Sequence, residues 1–187
     1  YVYQKLIKQK DRLVDFDVAA FRDWETIKGK VSARLVNTEW NREWLETKPY
    51  RELLDFAVLY HINVEDAGGK KGVVLVNNEH LKMWDKSEAD LYDMAIANME
   101  EDIVFDKLSY LFPEELLSED VWGENAQMYL LTNKENYYGA IELMDSSILE
   151  RISEQIGDFI LLPSSTHEWL LVPDEGTLDY ESLVCMV

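Results

Sequence analysis

Ser164, Ser165, His167 and Glu168 fall within five residues of one another, in the segment Leu-Pro-Ser-Ser-Thr-His-Glu-Trp. A hydroxyl, an imidazole and a carboxylate are the groups a hydrolase uses as nucleophile, base and orienter of the base. That chemistry needs the hydroxyl and a ring nitrogen within about 2.6–3.2 Å of each other. The spacing works against it. Residues two apart on a strand, as Ser165 and His167 are, lie roughly 6.6 Å apart with their side chains parallel. On a regular strand His167 and Glu168 point to opposite faces. No Gly-x-Ser-x-Gly elbow occurs anywhere in the chain. The competing reading is a Pro-Ser turn that closes a hairpin, with its hydroxyls bonded to the backbone. A hydrolase site built here would also gather Asn133 and Glu135, which stand at the end of the neighbouring strand in Leu-Thr-Asn-Lys-Glu-Asn-Tyr.

Other chemistries have weaker footing. His61, His80 and His167 are far apart, and neither His-x-x-x-His nor Cys-x-x-Cys is present, so no metal ligands are assigned. Glu65-Asp66 beside Gly68-Gly69 resembles a calcium loop on the surface but lacks the alternating oxygen ligands. Neither a phosphate-binding loop nor a dinucleotide fingerprint occurs, so no cofactor is expected. Asp90 and Asp93 pair two carboxylates on one helix, as acid–base catalysis would want. On a helix dense with acids that spacing arises by chance. Trp40, Trp44, Trp84, Trp122 and Trp169 are expected in packing roles rather than in a ligand cage.

The net charge is −19, spread unevenly over 187 residues. Residues 1–36 carry eight Lys or Arg against five acids, whereas residues 88–124 carry twelve acids against Lys107 alone. Such a field repels nucleic-acid phosphates and anionic lipid. It leaves three readings: a solvated face, a surface for a basic protein partner, or an acidic decoy that imitates a DNA backbone. A hydrophobic content of 47% argues for a packed body despite the charge. No apolar run reaches the roughly 18 residues of a membrane span. One cysteine, Cys185, cannot form an internal disulfide, which favours a reducing cytoplasm. The chain opens on Tyr1, so a fragment of a longer protein is expected.

The elements that must position these groups follow from periodicity. Residues 1–28 read as an N-terminal helical segment, with Asp17 capping a second helix over 17–28. Lys30–Asn37 alternates as a half-buried strand, and Thr38 caps a short helix over 39–46 with Trp40, Trp44 and Leu45 at helical spacing. Residues 54–64 form a strand with Phe56, Val58, Tyr60, Ile62 and Val64 on one face, and a glycine turn leads to a strand over 73–78. A short helical piece covers His80–Trp84. Ser87 and Asp90 make a capping box that opens a helix to about Glu101. Residues 103–126 read as an irregular acidic linker or insertion. Residues 127–173 read as strand, polar turn, helix, strand, tight turn, strand. Thr177–Met186 starts a last helix. Six strands with helices between them make an α+β fold, a mixed and mainly antiparallel sheet with helices packed on it, in one domain over 1–187. Leu35–Asn41 and Leu131–Tyr137 look alike, placing Asn37 over Asn133 and Glu39 over Glu135. Either a degenerate β-α-β-β duplication or the general liking of strand-to-helix turns for Asn and Thr accounts for this.

Three blocks carry a family resemblance: RLVNTEWNREWL with PYRELLDFAVLYHI, NNEHLKMWDKSEADLYDMAIANM, and MYLLTNKENYYGAIELM with LERISEQIGDFILLPSSTHEWLLVP. Together they resemble a family of domains of unknown function found in anaerobic Gram-positive, clostridial-type gut bacteria, often near mobile-element genes. A more distant likeness is to another bacterial family with the same strand-helix-strand ending. The resemblance implies a bacterial, intracellular α+β domain whose relatives continue at both ends, and it implies no reaction, cofactor or catalytic residue. The reading that follows is a non-enzymatic cytoplasmic interaction or accessory protein. A hydrolase using the Ser-Ser-x-His-Glu segment and a mobile-element decoy are the alternatives.

Overall fold

A computed structural model describes residues 17–66, 68–99, 103–108, 128–174 and 176. Among them are eight strands in two four-stranded sheets. The chain divides into two compact units, one of residues 1–33 and 37–98, the other of residues 34–36 and 99–187. The fold is α+β, with antiparallel sheets and helices packed against them.

The first sheet is built from β1 (Val31–Asn37), β2 (Tyr50–Leu53), β3 (Phe56–Glu65) and β4 (Lys71–Leu75). Its order is β1-β3-β2, and β4 also pairs with β3. The first half of β3 pairs with β2 through Leu59↔Tyr50 to Phe56↔Leu53, and the second half with β4 through His61↔Leu75 to Glu65↔Lys71. The alternation in this strand pointed to one buried face. Instead, Ala57 through Ile62 are all buried, so both faces are covered. Short β2 was not anticipated, because Arg51 and Glu52 give it the polarity of a loop. Both charges have local explanations. Glu52 is exposed, and Arg51 reaches Glu88 with two bonds, Nε to Oε1 at 3.2 Å and Nη2 to Oε2 at 3.0 Å.

Helices α1 (Val18–Phe21), α2 (Trp24–Ile27), α3 (Arg42–Leu45), α4 (Asn78–Trp84) and α5 (Glu88–Met99) complete the first unit, except that Met99 falls in the second. The single expected helix over 17–28 is two short ones, each preceded by an aspartate, with Asp17 accepting from the amides of Ala19 and Ala20. Residues 1–16 lie outside the described residues. Phe21 packs edge-on to His80 and Trp84, and the Trp84 indole donates to the Phe21 carbonyl at 2.8 Å. Asn77 and His80 cap α4 reciprocally, the Asn77 oxygen accepting from the His80 amide and His80 Nδ1 accepting from the Asn77 amide. Ser87 and Asp90 do the same for α5. These Ser87 bonds hold the Asp90 carboxyl below its ordinary value. α5 buries Leu91, Ala95 and Met99, one residue per turn.

The second sheet has the order β5-β6-β8-β7, antiparallel throughout, from β5 (Ile103–Lys107), β6 (Tyr129–Asn133), β7 (Phe159–Pro163) and β8 (Trp169–Pro173). β5 corrects the expectation of an irregular segment from residue 103. Its Ile-Val-Phe core was hidden among acids, and Phe105 stacks on Tyr129 of β6 at 5.1 Å. Residues 109–127 and the expected C-terminal helix lie outside the described residues. Between β6 and β7 run a 3₁₀ helix, Gly139–Met144, every residue of which is buried, and α6 (Ser146–Ile156), capped by Asp145. The expected single helix is therefore a tight buried coil followed by an amphipathic α-helix that buries Ile148 and Ile152.

The run β1-α3-β2-β3 gives sheet order β1-β3-β2, and the run β6-α6-β7-β8 gives β6-β8-β7. The β-α-β-β pattern read from Asn37 and Asn133 thus recurs with one topology.

Two groups, half-buried His80 and buried Tyr60, contribute to the pH dependence of the first unit's stability. Burial, and then the charge of Lys48, holds His80 below the ordinary imidazole value. The unfolded chain therefore binds more protons there, and stability is lost as pH falls below about 6.5. Tyr60 is fully buried and its hydroxyl donates to Glu88; burial first, and then that bond, push its ionisation far above the ordinary phenol value. Stability from Tyr60 is complete below the unfolded value of about 10 and is lost above it. Urea unfolding across pH should show both slopes. His80→Gln is expected to flatten the acid limb and Tyr60→Phe the alkaline limb. Limbs of unchanged slope in these variants would refute the assignment.

Candidate functional site

β6 ends at Asn133, and the amides that follow must find partners outside the ladder. Asn133 supplies them. Its Oδ1 accepts from the Tyr137 amide at 3.1 Å and its Nδ2 donates to the Tyr137 carbonyl at 3.0 Å. The turn is tight enough to need left-handed backbone at Asn136 and Tyr138. It sets the Tyr138 amide against the turn between β7 and β8, where that amide donates to His167 Nδ1 at 2.9 Å. The Thr132 hydroxyl donates to the His167 carbonyl at 2.8 Å. Gly139 is pressed into the same place. A Cβ there would lie 2.4 Å from Thr132 Oγ1 and 2.6 Å from both the Asn133 nitrogen and the His167 oxygen.

The structure brings most of the sequence candidates together, though not as a triad. Residues 164–168 are a five-residue turn rather than the regular strand expected for His167 and Glu168. The Ser165 hydroxyl donates to Glu168 Oε1 at 2.6 Å and accepts the His167 backbone amide at 2.9 Å. Ser164 Oγ also approaches Glu168 Oε1, at 3.3 Å. Serine and carboxylate are therefore in contact, while the imidazole is bonded through Nδ1 to a backbone donor on another element. With Nδ1 accepting, the neutral ring carries its proton on Nε2. Neither serine bonds to that ring. Glu135 lies exposed in the turn after β6.

Around His167 the structure adds groups that the spacing did not indicate. The Tyr137 and Tyr138 rings stack on the imidazole at 5.4 and 5.5 Å. Arg34 Nη1 donates to the Tyr138 hydroxyl at 2.6 Å, with its guanidinium 5.0 Å from the ring centre. The Tyr137 phenol is raised above its ordinary value, first by its hydrogen bond to Tyr138, then by burial and by the charge Tyr138 would carry, with Arg34 opposing. A tyrosine pair before glycine, after a strand-ending asparagine, was a legible sign of a special turn. Nothing local in the sequence linked Arg34 to it. Chemically, this is a braced aromatic stack with one edge, Tyr137, 48% exposed.

Elsewhere, the expectation that the tryptophans pack inside holds for Trp84 and Trp169, whose indoles donate to Phe21 and Ala140 carbonyls. It fails for Trp40, 86% exposed, and Trp44, 40% exposed. Their periodicity was right, but Leu45 alone faces the core of this short helix. Trp122 lies outside the described residues. Of the twelve acids between 88 and 124, Glu88 is tied to Arg51 and Tyr60 and Asp90 to Ser87, Asp93 and Asp106 are exposed, and the other eight lie outside the described residues. Asp90 and Asp93 therefore do not form a matched pair. No group of three or more His, Cys, Asp or Glu among the described residues could hold a metal ion. No helix among them is long and apolar enough to cross a membrane.

Fold and site together define an α+β protein in which a β-α-β-β strand order recurs and a polar turn is braced by aromatic side chains. Residues 2–187 match a family of unknown function, DUF5688, and the chain belongs to that family. No curated protein and no solved structure matches it.

The contacts at Gly139 make a direct test. Two of the three atoms in the way are backbone, which moves only with the sheet and the turn. Gly139→Ala is expected to cost about 1–3 kcal/mol in chemical denaturation, the range for overpacking. A loss under about 0.5 kcal/mol would mean that this approach is not tight.

Proposed function

We propose that this chain is a non-enzymatic interaction or accessory protein of a bacterial cytoplasm, with a basic protein as partner. One observation carries the reading. The polar groups of the Ser-Ser-Thr-His-Glu segment bond to one another and to neighbouring backbone, in an arrangement that builds a turn. The Ser165 proton points to Glu168, and the ring nitrogen that would take a proton from a nucleophile already accepts the Tyr138 amide. Freeing His167 Nδ1 to act as a base would leave that amide without a partner, at a cost of about 1–3 kcal/mol if it stays buried.

The charge supports the choice of partner. A net −19 raises the encounter rate with a basic protein and lowers it with nucleic acid or anionic membrane. The single cysteine favours a reducing compartment.

A serine-directed fluorophosphonate probe tests the central point, because it labels only activated hydroxyls. No labelling of the folded protein is expected. Ser165→Ala should lower stability by about 0.5–1.5 kcal/mol through the lost turn bonds. Labelling that disappears in Ser164→Ala or Ser165→Ala would replace this reading with the hydrolase.

A further inference from the structure

Trp40 is the most exposed large apolar side chain among the described residues. Its backbone is nonetheless fixed. The Trp40 amide donates to Asn37 Oδ1 at 2.9 Å, and Asn41 Nδ2 donates to the Asn37 carbonyl at 2.8 Å. The Thr38 amide donates to the Asp55 carbonyl at 3.0 Å, which brings the β2–β3 turn alongside. At that turn Leu54 is 77% exposed and holds a left-handed backbone, φ 54°. A large indole and a leucine are thus held out in water on anchored backbone. Burying them would gain about 25 cal/mol for each Å² removed from water.

A groove beside Trp40 is lined by Glu39, Trp40, Asn41, Arg42, Glu43 and Trp44. Its lining includes two carboxylates, one guanidinium and two indoles. Glu46, Glu52 and Asp55 are exposed on the same stretch of chain. The chain shows how such a ring is used, because its own Lys48 ammonium sits over the Trp44 ring, 5.7 Å from the centre. That is within the range at which an aromatic face attracts a cation. Among the described residues, no cation lies over the Trp40 ring.

We propose that this groove docks a basic segment of a protein partner, with a Lys or Arg side chain laid on the Trp40 indole between Glu39 and Glu43 and a neighbouring apolar side chain toward Leu54. The proposal rests on the interaction reading above and adds the place and the chemistry. Tryptophan is the best cation–π acceptor and is enriched where binding energy concentrates. The carboxylates exclude acidic segments and make binding sensitive to salt.

The test uses a short peptide of alternating Lys and Leu, followed by tryptophan fluorescence and by the indole N–H signals in NMR spectra of the full chain. Binding should shift the Trp40 signal and weaken as salt rises. Trp40→Ala should weaken it about ten-fold, with partial recovery in Trp40→Phe. Glu39→Gln combined with Glu43→Gln should weaken it and flatten the salt dependence. A Trp40 signal that stays in place, equal binding by the lysine-acetylated peptide, or undiminished binding by Trp40→Ala would overturn the proposal. So would a concentration-dependent dimer abolished by Trp40→Ala, which would put a second copy in the groove. If an identified basic partner from the host still binds the Trp40→Ala chain, the interaction reading survives and only its location falls.

Discussion

A backbone amide that leaves a β-strand loses its ladder partner, and the rest of this structure depends on how that loss is made good. In both units an asparagine at the end of the strand does it. Asn37 accepts from the Trp40 amide and Asn133 from the Tyr137 amide. Each turn then leans on the hairpin turn that follows in sequence, through Thr38 to Asp55 in one and Tyr138 to His167 in the other. The chemically suggestive residues of the second unit are drawn into this role. A histidine ring can complete a backbone network as well as it can take a proton from a nucleophile, and here its Nδ1 accepts the Tyr138 amide.

The two solutions diverge in what they expose. In the second unit the turn is closed over by its own side chains: Tyr137 and Tyr138 stack on His167, Arg34 ties down the Tyr138 hydroxyl, and Gly139 admits no Cβ. In the first unit the equivalent turn is followed by α3, which is one turn long and buries only Leu45. One turn of helix cannot bury residues on every side, so Trp40 and Trp44 stay outside. A shared topology thus leaves one turn with its tyrosine rings stacked on a histidine and the other with Trp40 turned to water.

How far the sequence disclosed this follows physical lines. The alternation of Val31, Ala33 and Leu35, the Ser87–Asp90 cap and the strand-turn-strand ending were legible because each depends on neighbours in sequence. β2 and β5 were not, since Arg51 and Asp106 gave two short strands the look of loops, and their pairing is set by partners elsewhere. The burial of both faces of β3 was hidden for the same reason, because alternation reports one covered face and cannot report a second layer. At the candidate site, the closeness of Ser165 and Glu168 could be read from their numbers. The bond between His167 and Tyr138 could not, as it joins residues 29 apart. The exposure of Trp40 is not legible in sequence, because hydrophobicity and period give the face of a helix but not whether anything lies against that face.

The distribution of carboxylates connects stability to recognition. Burying a charge is tolerable only when its bonds are met. Glu88 meets this condition with Arg51 and Tyr60, and Arg51 in turn lies 3.6 Å from the centre of the Tyr92 ring. Such acids stabilise the fold and are not free to attract anything else. Glu39, Glu43, Glu46 and Asp55 are exposed, where solvent-facing ion pairs add little stability. Mutual repulsion among surface acids works against compactness in a chain of net −19, a cost that a basic partner would relieve on binding. Because Trp40 and Leu54 are exposed on the same stretch, one partner that is both basic and apolar would relieve the electrostatic and the hydrophobic cost together. Neither a nucleic acid nor a purely apolar surface can do both.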